Sequence, residues 1–117
     1  MTDWISSTAI FVRSRKRAAK WYSQVFGWKN LADDDHWTVV GPAKRGGRLH
    51  LCERRKLGAS HVGETGILIV CEQFDRTVAR LEKAGARWAT APVERPWGKM
   101  GRFKDPDGNI LWISTDA

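Results

Sequence analysis

The chain is built on one pattern used twice. A short apolar run, an amphipathic stretch and a glycine extend from Ser7 to Gly27, and the same order returns from Gly66 to Gly85. Thr8-Ala9-Ile10-Phe11-Val12 answers Ile67-Leu68-Ile69-Val70-Cys71. A duplicated strand–helix unit restricts the fold severely. Two similar half-sheets facing each other enclose a cleft, and a cleft is where function is sought.

Local signals fill in each copy. Residues 5–12 alternate and are rich in Ile, Phe and Val, which reads as a strand. Ser14 is placed to cap a helix whose apolar stripe is Ala18, Trp21, Tyr22 and Val25, and Gly27 stops it. Residues 28–31 and 37–40 read as a hairpin across Asp33-Asp34-Asp35, and Gly46-Gly47 leads into a strand at 48–53. Residues 54–65 have no periodicity and read as a connector. In the second copy, Phe74, Val78 and Leu81 form the helix stripe, and a short strand follows at 86–89. Pro92 and Pro96 mark an irregular stretch. A final hairpin, 100–104 with 109–114, turns on Asp105-Pro106-Asp107-Gly108. Strand, helix and three strands in each half predict an α+β fold.

Composition narrows the class. A chain of 117 residues is expected to form one domain with its own core. Neither a signal peptide nor a membrane span is expected, since Met1-Thr2-Asp3-Trp4 has the wrong chemistry and the longest apolar run, 67–71, is too short. Two cysteines inside predicted strands, Cys52 and Cys71, argue against a disulfide framework and for a cytoplasmic protein. The net charge of +7 favours anionic partners: an acidic small molecule, a nucleic acid or an anionic surface. Seven tryptophans provide flat apolar faces for a core or for ligand stacking.

The order of elements, the Phe-Val…Trp-Tyr…Phe-Gly run at 11–27 and Asp-Pro-Asp-Gly-Asn at 105–109 resemble the vicinal oxygen chelate superfamily. That superfamily includes glyoxalase I, extradiol dioxygenases and bleomycin-resistance proteins. The resemblance implies a single domain of two tandem βαβββ modules, 5–53 and 66–115, curving a mixed sheet around a cavity. It also implies a homodimer in which modules are exchanged. Metal-dependent members place chelating side chains at four strand positions, which fall here on Ser7, His50, Gly66 and Trp112. Three of these cannot usefully ligate a divalent ion, so no metal and no other cofactor are expected. The resemblance therefore points to the metal-free, bleomycin-resistance-like branch.

By strand parity the cavity wall holds Ser7, Ala9, Phe11, Arg48, His50, Cys52, Leu68, Val70, Met100, Arg102, Ile110, Trp112 and Ser114. The ligand-binding candidates are Trp112, Trp97, Trp37, Arg48, Arg102, His50, Phe11, Met100 and Ser7. Trp112 offers a stacking face at a former ligand position. Trp97, in Pro96-Trp97-Gly98, lies where metal-free relatives have a Trp-Gly at the cavity mouth. Arg48 and Arg102 suit a carboxylate, phosphate or sulfate. Asp33-Asp34-Asp35-His36 reads as a solvated turn, and the basic run Arg13 to Lys20 as a solvated helix face. The leading expectation is a protein that sequesters an aromatic, anionic drug or natural product. The alternatives are a metal-free isomerase or lyase with His50 or Glu53 as base, and a nucleic-acid-binding or regulatory module, which no motif supports. No residue is assigned a catalytic role; His50 is a weak candidate, and Glu53 has the wrong strand parity for the cavity. Nucleophilic catalysis by Cys52 with His50 is disfavoured by their separation along the strand.

Overall fold

The computed structural model describes residues 3, 5–35, 37–44, 46–53 and 62–115. The chain divides into two compact units, 1–61 and 62–117. The first contains β1 (Thr8–Val12), α1 (Arg15–Phe26), β2 (Lys29–Asp33), β3 (Trp37–Gly41) and β4 (Leu49–Glu53). The second contains β5 (Glu64–Val70), α2 (Phe74–Lys83), β6 (Arg87–Arg95), β7 (Gly98–Lys104) and β8 (Ile110–Ser114). Each has a four-stranded sheet, ordered β1-β4-β3-β2 in module one and β5-β8-β7-β6 in module two. In both, the first strand runs parallel to the last and the other pairings are antiparallel. The βαβββ repeat expected from the sequence is thus present twice.

In module one, Ser14 caps α1 by accepting from the Arg17 backbone N–H at 3.3 Å. Gly27, at φ 72°, closes the helix by donating its N–H to the Ser23 carbonyl. The buried stripe of Ala18, Trp21, Tyr22 and Val25 packs α1 on β3 and β4, where Ile10, Val12, Val40, Leu49 and Leu51 are also buried. Trp28 stacks on Phe26 at 4.7 Å and on Tyr22 at 5.7 Å, so it belongs to this aromatic cluster. The basic first turn of α1 opposes the helix dipole. Arg15 resolves part of that conflict. Its guanidinium lies 3.6 Å from Glu53 and 3.7 Å from Asp33, and Nη1 donates to the Asp34 carbonyl at 2.6 Å.

Module two differs from expectation along β6. The stretch around Pro92 is strand up to Arg95, with register breaks on either side of Thr90. Proline is tolerated because β6 is an edge strand, where a missing N–H leaves no ladder partner unsatisfied. β5 begins at Glu64, two residues ahead of the glycine from which the repeat was counted. The rest of the connector, 54–61, lies outside the described residues, as do Trp4 and His36. Helix α2 has Asp75 in its first turn and Arg80 and Lys83 in its last, which suits the dipole. Phe74 and Leu81 on α2 are buried, as are Phe103, Leu111 and Ile113 on the sheet.

The 105–109 turn is a closed hydrogen-bond unit. Asp105 Oδ1 accepts from the backbone N–H groups of Asp107 and Asn109, both at 2.9 Å, and Oδ2 accepts from Asn109 Nδ2 at 3.2 Å. Both side chains are buried, and Gly108 takes the positive φ of 90° that the turn needs. Replacing Asp105 with Ala strands these donors. The expected cost is about 2–3 kcal/mol, read as a lower urea midpoint at unchanged slope.

Candidate functional site

Alternation along β5, β7 and β8 gives module two a buried face and an open face. Leu111, Ile113 and Phe103 are buried on one; Leu68, Val70, Trp112, Ile110 and Arg102 lie on the other. Pairing sets Leu68 beside Trp112 and Val70 beside Ser114 across β5–β8, then Trp112 beside Arg102 and Ser114 beside Met100 across β8–β7. Leu68 and Val70 remain 45% and 50% exposed, an unusual state for large aliphatic side chains on a sheet.

The centre of this face is Glu64, a residue sequence reasoning missed because it fell in the connector. Its Oε2 accepts from Arg102 Nη2. Oε1 accepts from Trp112 Nε1–H at 3.0 Å and from the Gly66 backbone N–H at 3.3 Å. Glu64 shares strand parity with Leu68 and Val70, which puts it on the open face, and Gly66 stands at φ 72° where the β5–β8 register slips. The glycine in an otherwise apolar strand was the available signal. Arg102 also donates from Nη1 to Thr90 Oγ1 at 3.1 Å, and its guanidinium carbon lies 5.2 Å from the Trp112 ring centroid. Its Nε is buried and finds no acceptor among the described residues. The Arg102 hydrogen bond, with smaller help from Trp112 and Gly66, holds the Glu64 carboxyl below its usual range.

The open face of module one is aromatic. Trp37 opens β3 and stacks on His50 of β4, with ring centroids 5.6 Å apart and planes 11° from parallel. Phe11 and Ala9 on β1 pair with Cys52 and His50. Cys52 is buried, and burial keeps its thiol above the ordinary range, so it is not an activated nucleophile. Glu53 faces the other way, toward Arg15, so it does not share the face of His50.

Six of the nine ligand candidates fall into two groups. Trp112, Arg102 and Met100 share one face of module two by strand parity, but Met100 is buried there beside the buried Ser114. Phe11, His50 and Trp37 share the open face of module one. Ser7 precedes β1 and is half-buried; Arg48 precedes β4 and is exposed. Trp97 sits 56% exposed in the turn between β6 and β7. That turn is pinned where Thr115 Oγ1 accepts from the Lys99 N–H at 3.0 Å, and a Cβ on Gly98 would collide with this hydroxyl. Clefts of about 270 and 400 Å³ lie elsewhere, beside Phe74, Asp75 and Lys99 at the start of α2. They flank an exposed ion pair and contain none of the nine.

The donor chemistry does not fit a resident divalent ion. Gly66 has no side chain, and the Trp112 nitrogen is a donor already bonded to Glu64. Among the described residues no group of three or more His, Cys, Asp or Glu is arranged to hold a metal. The Asp33–Asp35 segment is a turn, with Asp34 Oδ1 accepting from the Trp37 N–H at 3.2 Å.

Because the Glu64 carboxyl is shifted down, its grip on Trp112 and Arg102 is complete above the usual glutamate range and is lost as pH falls through the lowered value. Trp112 emission should stay constant from neutral pH to about 4.3 and change only below it. A Trp112→Phe variant, subtracted from the parent, isolates that signal.

Comparison with known proteins agrees with this architecture. The family model for the Glyoxalase/Bleomycin resistance protein/Dioxygenase superfamily matches residues 4–113. The uncharacterized protein YetH of Bacillus subtilis is 24% identical, over 97% of this chain and 98% of its own. TnmS3, described as an antibiotic binding protein from Streptomyces sp. CB03234, is 25% identical with a TM-score of 0.79, covering 97% of this chain and 95% of its own. A superfamily member from Sphaerobacter thermophilus is 22% identical with a TM-score of 0.80, covering 97% of each chain. A family match over nearly the whole chain, joined to the duplicated βαβββ topology, places this protein in the glyoxalase/bleomycin resistance protein/dioxygenase superfamily.

Proposed function

We propose that this chain is a metal-independent binding protein that sequesters an aromatic, anionic small molecule, a drug or natural product, and returns it unchanged. The observation that carries the reading is the open face of module two. There two exposed aliphatic side chains, Leu68 and Val70, adjoin an indole and a guanidinium. Apolar and aromatic walls with a few fixed polar groups are the usual make-up of a ligand site. An aromatic ring lies against Trp112 and the aliphatic pair, while Arg102 meets the anionic group. The likeness to TnmS3 supports binding rather than turnover. So does the chemistry around His50, whose ring is stacked on Trp37 and whose neighbour Cys52 is held as a thiol. Within this reading the protein works in the cytoplasm as a homodimer.

Titration with a panel of aromatic acids tests it. Saturable tryptophan quenching is expected, with the ligand recovered intact after denaturation. Trp112→Ala should weaken binding by about tenfold or more, equivalent to ~1.4 kcal/mol. Chemical conversion of the ligand, or affinity indifferent to Trp112, would contradict the proposal.

A further inference from the structure

The donors around Glu64 are arranged as a carboxylate receptor, and the chain's own carboxylate occupies it. Arg102 Nη2, the Trp112 indole N–H and the Gly66 backbone N–H all point at one carboxyl group. Glu64 uses the receptor incompletely. A guanidinium binds an oxyanion best through two parallel N–H groups, yet Glu64 takes Nη2 and leaves Nε without an acceptor among the described residues. The occupant is also easily released. Glu64 sits on an edge strand at a bulge, with its side chain 44% exposed, and an ion pair this open to water is weak. The carboxyl is charged at neutral pH, as any glutamate is, and its hydrogen bond from Arg102 favours the charged form.

We propose that Glu64 is an internal stand-in for a ligand carboxylate, and that aromatic acids bind the open face of module two by displacing it from Arg102. The proposal rests on the reading of that face as a ligand site and names its substrate class: a planar aromatic ring bearing a carboxylate. The incoming acid takes both the Nη2 and Nε positions of Arg102, its ring covers Leu68 and Val70, and Glu64 moves into water. Glu64 then sets selectivity, since a neutral amide carries no charge for Arg102 and binds with the Glu64–Arg102 pair left in place, so Glu64 competes with acids alone.

The test compares 2-naphthoate with 2-naphthamide on the parent protein, Glu64→Ala and Glu64→Gln, with thermal melts establishing that each variant is folded. An internal competitor lowers apparent affinity by the fraction of time it vacates the site, so its removal should tighten naphthoate binding about tenfold and leave naphthamide within about twofold. Arg102→Gln should abolish the gain. If acid and amide shift in parallel, or naphthoate weakens in both Glu64 variants, the stand-in role is overturned while aromatic binding survives. If neither probe binds any form of the protein, the ligand-site reading falls with it.

Discussion

One carboxylate organises the open face of module two. A half-buried arginine on an apolar sheet face is costly unless its charge is met, and Glu64 meets it. The same group accepts the Trp112 N–H and so fixes the indole beside the guanidinium. Remove the bulge at Gly66 and Glu64 would lose the backbone N–H that helps hold it in place. The arrangement makes Glu64, Arg102 and Trp112 one charged, aromatic surface.

The two modules share a topology and have diverged in chemistry. Arg15 in module one and Arg102 in module two are both met by acidic side chains, but on opposite faces of their sheets. Arg15 works on the helix side of module one, tying the basic start of α1 to Glu53 and Asp33. Arg102 works on the open side of module two. The first ties the helix start to β2 and β4. The second adjoins Leu68 and Val70, which are left accessible. Duplication supplied the scaffold; a change in which face carries the charge separates a structural arginine from one available to a ligand.

Much of the fold was legible because its signals are local. Ser14 and Gly27 bound α1 as cap and stop, and Asp105 to Asn109 encode a turn whose hydrogen bonds close within five residues. Strand parity alone places Arg102, Trp112 and Met100 on one face. The failures have a common physical origin. Pro92 reads as a break, yet it sits in β6 because only the sheet order shows that this strand is an edge. Glu64 reads as connector, yet its side chain reaches Arg102, 38 positions away, from a strand whose start only pairing reveals. Exposure at Leu68 and Val70 likewise depends on what the rest of the module leaves uncovered.

The central claim of the proposal is that the face carrying Glu64, Arg102 and Trp112 binds its ligand without a metal ion. Elemental analysis tests it most directly, on protein purified from cells supplied with manganese, iron, nickel and zinc. The account predicts no stoichiometric metal after desalting, in the parent and in a His50→Ala variant alike. An equivalent of one of these metals retained by the parent and lost with His50 would contradict it.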